Sequence, residues 1–122
     1  MAKTILLVDD SATSRMKSRM ILGKQAGYEF ISACDGKEAV EVALSKNPDL
    51  ILMDVEMPRM GGIEACRTLR QHPATKDTPI ILLTMRGEQA TVKAGMDSGC
   101  SEYMLKPVNE EKLVSVLKKY LR

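Results

Sequence analysis

Four apolar runs in this chain each end on a polar residue, and no other feature limits the fold as much. Ile5-Leu6-Leu7-Val8 runs into Asp9-Asp10, and Leu50-Ile51-Leu52-Met53 runs into Asp54. Ile80-Ile81-Leu82-Leu83 runs into Thr84, and Tyr103-Met104-Leu105 runs into Lys106 and Pro107. The runs at Ile5, Leu50 and Ile80 are apolar throughout, as strands covered on both faces must be. If the runs are parallel strands of one sheet, their carboxyl ends lie side by side on one edge. Open α/β sheets place their chemistry in the crevice outside that edge. Three carboxylates, a hydroxyl and an ammonium then converge, a set that suits a magnesium ion and a phosphoryl group.

The rest of the chain supports an α/β fold. Short apolar runs alternate with amphipathic stretches five times, the pattern of a parallel sheet with helices on both faces. A further run, Tyr28 to Ala33, mixes in Glu29 and Ser32, and the run at Tyr103 is only about three residues long. Polar content and shortness suit edges. Placing these two outside and the other three in the centre fits the order 2-1-3-4-5, a known arrangement of five-stranded doubly wound sheets.

Local signals mark the helices. Ser11 is a candidate cap for the first, with Met16 and Met20 expected to face inward. Asp35 and Glu38 have the spacing of an acidic capping box. Ala39, Val40, Ala43 and Leu44 form the apolar face of that second helix, and Pro48 stops it. Asn109 is a favourable N-cap for the last helix, whose stripe is Leu113, Val114, Leu117, Tyr120 and Leu121.

Composition excludes several classes. The 122 residues suit one domain able to bury a core. With 44% hydrophobic and 28% charged residues the chain is neither disordered nor membranous. A net charge of +2 gives no argument for a nucleic-acid partner. No run approaches the roughly 20 apolar residues of a membrane span, and Met1-Ala2-Lys3-Thr4 opens no signal peptide, so a cytoplasmic location is expected. Cys34, Cys66 and Cys100 show no ligand pairing and read as small packing residues. The nine methionines are expected mainly to fill the core. His72, beside Pro73 in a loop, is assigned no catalytic part.

The pieces Val8-Asp9-Asp10-Ser11, Met53-Asp54-Val55-Glu56-Met57-Pro58, Thr84, and Gly99 through Tyr103 to Lys106-Pro107 occur in order across the whole chain. In this the chain resembles the receiver domains of two-component response regulators, in their stand-alone CheY-like form. The resemblance implies a single receiver domain over residues 1–122 with no output domain. It implies that Asp54 accepts a phosphoryl group from a phosphohistidine on a sensor histidine kinase or phosphotransfer protein. Asp10 and Asp54 would ligate Mg²⁺ directly, and Asp9 would do so through a water or as a second ligand. The backbone carbonyl of Glu56 completes the implied set. Lys106 would pair with Asp54 and then with phosphoryl oxygens, and its bond to Pro107 would be cis. Thr84 would hydrogen-bond the acyl phosphate, and Tyr103 would turn inward behind it as a switch.

The charges agree with that reading, because three carboxylates are balanced by Mg²⁺ and Lys106 together. Without metal the like charges must raise a carboxylate pKa or destabilise the fold. Three departures from the family pattern stand out. Met85 follows Thr84 where a small residue is usual, and Gly61-Gly62 stands where Asp-Gly is common. Glu56 and Arg86 hold the two positions that tune hydrolysis in receivers, and their opposite charges suggest a pair across the mouth of the site. Phosphorylation is expected to switch binding of a downstream protein, in chemotaxis, motility or a phosphorelay, by a chain that is itself a monomer. The target would bind at the face of the fourth helix, fifth strand and fifth helix, near Val92, Tyr103, Leu105 and Lys112.

Two other classes share part of this pattern. A haloacid-dehalogenase-like phosphatase needs an aspartate two positions after its nucleophile, where this chain has Glu56, and a cap domain for which there is no room. A flavodoxin-type electron carrier needs a hydroxyl-rich loop after the first strand and aromatics around the flavin. Here two aspartates fill that loop, and the chain has one Phe and no Trp.

Overall fold

The computed structural model describes residues 2–25 and 27–121. Five strands and five helices alternate: β1 (Lys3–Val8), α1 (Ala12–Leu22), β2 (Tyr28–Ala33), α2 (Gly36–Lys46), β3 (Leu50–Asp54), α3 (Gly62–Arg70), β4 (Ile80–Thr84), α4 (Gln89–Asp97), β5 (Glu102–Leu105) and α5 (Glu110–Tyr120). The strands form one parallel sheet in the order β2-β1-β3-β4-β5. The polar run and the short run are its edges, as expected, and β3 and β4 are buried at every position.

Strand periodicity divides the core in two. Leu6, Val8, Ile51, Met53, Ile80 and Leu82 pack with Ala39, Ala43, Ala65, Cys66 and Leu69 of α2 and α3. Their neighbours Ile5, Leu7, Leu50, Leu52, Ile81 and Leu83 point the other way, onto Leu22 of α1 and Leu113, Val116 and Leu117 of α5. Alternate side chains of a strand leave opposite faces, so one apolar run supplies both layers. Each fully buried leucine or isoleucine contributes about 1.5–3 kcal/mol.

The caps follow the sequence. The Ser11 hydroxyl accepts from the Ser14 N–H, Asp35 from the Glu38 N–H, and Asn109 from the Lys112 N–H. Glu38 reaches back to the Cys34 N–H at 2.6 Å, one residue before the cap. Asn47 closes α2 in the left-handed region, ahead of Pro48.

Two expectations fail. Met16 and Met20 do not face inward; they are 62% and 65% exposed. Ser14, Ser18, Ile21 and Leu22 take the inner side of α1, so its inward face is partly hydroxylic and the methionines lie on the other face. Nor are the methionines mainly core: Met53 and Met104 are buried and Met57 and Met60 pack partly buried against the core, Met85 and Met96 are exposed like the pair on α1, and Met1 lies outside the described residues. Of the cysteines, Cys66 and Cys100 are buried and Cys34 is half-buried, all as free thiols. Burial pushes the Cys100 thiol up to about 11. Among the described residues no helix is long and apolar enough to cross a membrane.

Candidate functional site

The register of the sheet sets the site. Val8 pairs with Met53, and Asp54 with Leu83, so the residues after β1 and the last residues of β3 and β4 reach one level of the carboxyl edge. Lys106 follows β5, and its backbone N–H donates to the carbonyl of Thr84 at 2.7 Å. The Lys106-Pro107 bond is cis. Asp9, Asp54 and Thr84 are buried, and Asp10 is exposed.

The carboxylates of Asp9, Asp10 and Asp54 bring oxygens within 4.8 Å of one another. Lys106 Nζ lies 3.2 Å from Asp54 Oδ2 and 3.3 Å from Asp9 Oδ2. Asp9 Oδ1 accepts the Ser11 N–H at 2.9 Å. Asp54 Oδ1, by contrast, is buried without a hydrogen-bond partner among the described residues. A buried carboxylate oxygen left unpaired is costly, and such an atom needs an explanation. Burial pushes the Asp54 carboxyl above its usual range; Lys106 pulls it down, and Asp9 adds to the rise. For Lys106, burial acts to lower the ammonium, but Asp54 and Asp9 outweigh it and hold it above the ordinary value. An all-oxygen acidic cluster with one orphaned oxygen fits a hard divalent cation such as Mg²⁺.

Around this centre the structure departs from one sequence expectation. Glu56 makes no ion pair with Arg86. Its carboxylate instead accepts the Thr84 hydroxyl at 2.7 Å and the Met85 N–H at 3.4 Å. The nearby Thr84 hydroxyl and Met85 amide take up the acidic oxygens, and the Arg86 side chain stays exposed. Met85 is 79% exposed and lines a cleft of about 360 Å³ together with Asp9, Lys106, Pro107 and Val108.

Tyr103 is half-buried, and its hydroxyl donates to the Arg86 carbonyl at 3.3 Å. Its ring lies over Gly95 of α4, where an added Cβ would sit 2.5 Å from one ring carbon. Sequence reasoning missed Gly95; a glycine inside a helix, which costs stability, was the available signal. It also missed a strut below the site. Arg59, in the left-handed region at φ 65, pairs with Asp35 at the cap of α2. That tie secures the loop after Glu56, as does the Gly36 N–H donating to the Met60 carbonyl at 2.8 Å. The Gly61-Gly62 departure also has a structural side. Gly61 gives α3 no side-chain cap, and a Cβ on Gly62 would meet the Asp54 carbonyl oxygen at 2.2 Å.

On the far side of Tyr103, a groove of about 440 Å³ runs along α4, β5 and α5. It is lined by Val92, Tyr103, Leu105 and Lys112 among others. All four residues expected at the output face therefore border one surface depression.

Comparison with known proteins gives a consistent result. The response regulator receiver domain family matches residues 5–118. The chain is 41% identical over 120 residues to the phosphate regulon transcriptional regulatory protein PhoB of Pseudomonas aeruginosa, covering 98% of this chain and 52% of that protein. It thus spans about half the length of the curated relatives it matches. Vibrio cholerae chemotaxis protein CheY4 superposes with a TM-score of 0.89 at 35% identity, over 99% of this chain and 100% of that one. The receiver domain of sensor histidine kinase PA1611 from P. aeruginosa, solved with a magnesium ion coordinated in the active site cleft, gives 0.89 at 29% identity, over 98% of each chain. With its sheet order, its carboxyl-edge aspartates and these likenesses, the chain belongs to the response regulator receiver domain family.

Proposed function

We propose that Asp54 is the phosphoacceptor of a response regulator and that its phosphorylation switches the binding of a partner protein. The observation that carries this is the state of the Asp54 carboxylate. One oxygen is held by Lys106, and the other is buried, unpaired and beside Asp9 and Asp10. A carboxylate attacks phosphorus well only where repulsion between anions is relieved. Asp9, Asp10, Asp54 and the backbone carbonyl of Glu56 would hold Mg²⁺. The ion, when bound, supplies positive charge to the attacking and phosphoryl oxygens.

The chain's own residues then act as follows. An Asp54 oxygen forms a bond to phosphorus as the bond from phosphorus to the donor imidazole nitrogen breaks, and the imidazole leaves with its electron pair. Lys106, already charged and paired to Asp54, balances the charge arriving on the phosphoryl oxygens. Thr84, at the end of the neighbouring strand, donates its hydroxyl to one of them. Tyr103 follows Thr84 and alters the groove between α4 and α5. Hydrolysis by water reverses the state, and Met85, Glu56 and Arg86 set its rate from the rim. The donor is a sensor histidine kinase or a phosphotransfer protein. The output is a separate target protein at the groove of Val92, Tyr103, Leu105 and Lys112, in chemotaxis, motility or a phosphorelay. We read the chain as a cytoplasmic and monomeric receiver. The likeness to PhoB favours a second reading, output through transcription, and promoter binding by the phosphorylated protein would decide for it.

The test is incubation with a small acyl phosphate and Mg²⁺, read by intact mass. The wild type should gain one phosphoryl group, and Asp54→Asn should gain none. Equal labelling of the two proteins would refute the site.

A further inference from the structure

We infer that the Glu56 side chain is an internal occupant of the phosphoryl-binding donors, a latch that holds the unphosphorylated state and must be displaced when the phosphoryl group arrives. This rests on the phosphoacceptor reading of Asp54 and adds a competition within it.

The argument is one of donor counting. Thr84 is fully buried, and its hydroxyl carries a single hydrogen. That hydrogen is given to Glu56 Oε2 at 2.7 Å. The oxygen of the same hydroxyl accepts the Arg86 N–H at 2.9 Å. Thr84 therefore has nothing left to donate. The Met85 N–H, the next donor along the strand end, points at the other Glu56 oxygen at 3.4 Å. A two-oxygen anion thus sits on two donors beside the phosphoacceptor, where an incoming phosphoryl group would seek them. Glu56 lies two residues past Asp54, and its charge adds to the pressure that raises the Asp54 carboxyl. A phosphoryl group on Asp54 puts further negative charge against Glu56, so repulsion and competition for one hydrogen act together.

The latch also reaches the switch residue. The Arg86 backbone donates its N–H to Thr84 and accepts the Tyr103 hydroxyl at its carbonyl, 3.3 Å away. Glu56, Thr84, Arg86 and Tyr103 are consequently joined by consecutive hydrogen bonds. Removing Glu56 from Thr84 frees the first link, and the β4–α4 loop and Tyr103 lose a restraint that runs back to the site.

The test uses beryllium fluoride with Mg²⁺ as a phosphoryl analogue, titrated calorimetrically into the full chain. Four proteins are compared: wild type, Glu56→Ala, Thr84→Ala and the double variant. A hydrogen bond to a charged acceptor is a strong one, so Glu56→Ala should bind the analogue about ten-fold more tightly than wild type. In the Thr84→Ala background the same change should gain less than about three-fold, because the contested hydrogen is gone. If Glu56→Ala does not fold, Glu56→Gln replaces it. That variant loses the charge but keeps an acceptor, and an intermediate, Thr84-dependent gain is expected. No gain in a folded Glu56 variant overturns the latch while the phosphoacceptor reading stands. A gain undiminished by Thr84→Ala also overturns it, since simple repulsion then accounts for the effect. A wild type that fails to bind the analogue, or binds it equally after Asp54→Asn, overturns the phosphoacceptor reading, and the latch falls with it.

Discussion

Replacing Asp10 by asparagine should stabilise the metal-free protein and remove most of its response to magnesium. Asp10 sits with Asp9 and Asp54 in a cluster whose ligand oxygens lie within 4.8 Å of one another. Lys106 contacts Asp9 and Asp54, and Asp10 forms no ion pair among the described residues. Two like charges at that separation repel by about 1 kcal/mol in water and about 3.5 kcal/mol at an effective dielectric constant of 20. Asp10 is exposed, so the water limit is the appropriate one, and ordinary salt roughly halves it. Two neighbours at about half a kilocalorie each give a gain of about 1 kcal/mol for Asp10→Asn. For a domain of this size that gain is a rise of about 3–5 °C in Tm. In the wild type a ligand bound only by the folded state, at a hundred times its Kd, adds about 2.7 kcal/mol. Asp10→Asn should lose most of that. Thermal unfolding followed by circular dichroism, with chelator and with millimolar Mg²⁺, measures both effects. An Asp10→Asn protein that melts at or below the wild-type temperature without metal, or keeps the full magnesium response, refutes the charge argument.

Other consequences can be checked separately. Gly95→Ala would put a methyl group 2.5 Å from the Tyr103 ring, so the ring must swing out and its hydroxyl must leave the Arg86 carbonyl. Alanine gains up to about 1 kcal/mol in helix propensity, so stability should change little while the Tyr103 ring resonances in NMR shift strongly; unshifted resonances would contradict the packing. On acidification, Asp35 is held below the usual carboxylate range by the Glu38 amide and then Arg59, and Glu102 by the Tyr120 hydroxyl and then Lys119. Their folded pKa values lie below the unfolded ones, so they contribute stability above about pH 4 that is lost as pH falls through the folded values. Asp54 is shifted up and works in the opposite sense, since protonation relieves its burial. Denaturant unfolding below about pH 5 should therefore show a smaller loss of stability in Asp35→Asn than in wild type, and equal slopes would count against the assignment. Met85 stands on the rim of the cleft beside Asp9 and Lys106, and we expect Met85→Ala to speed phosphate release. Arg86→Ala should change it less, because no ion pair to Glu56 is there to be lost; the reverse order would show that Arg86 is the gate.

Much of the fold could be read because burial on two faces leaves a mark in sequence. Polar Glu29 and Ser32 mark β2 as an edge and short β5 marks the other, while the order of the three strands between them is that of a known doubly wound arrangement. The clustering of Asp9, Asp10, Asp54, Thr84 and Lys106 was readable for the same reason, since each ends an apolar run on the same edge of a parallel sheet. What escaped depends on direction and close contact. Hydrophobicity alone points Met16 and Met20 inward, but the inner side of α1 carries Ser14 and Ser18. The Glu56 to Arg86 pair was inferred from opposite charge at suggestive positions. Position along the chain does not reveal that a strand-end hydroxyl and an amide lie nearer to the carboxylate. A helical glycine flags position 95 but not the Tyr103 ring that covers it, and the Arg59 to Asp35 tie depends on a left-handed residue that no local signal marks.

The central claim is that Asp54, and no other carboxylate of the cluster, forms the acyl phosphate. The direct measurement is to phosphorylate the full chain with a small acyl phosphate and Mg²⁺, then reduce it with borohydride, which converts an acyl phosphate to an alcohol. Tandem mass spectrometry of the peptides containing Leu6 to Ser11 and Leu50 to Met57 then locates the reduced residue. The account predicts homoserine at position 54, with positions 9 and 10 unchanged. Reduction at position 9 or 10, or none after stoichiometric phosphorylation, would contradict it.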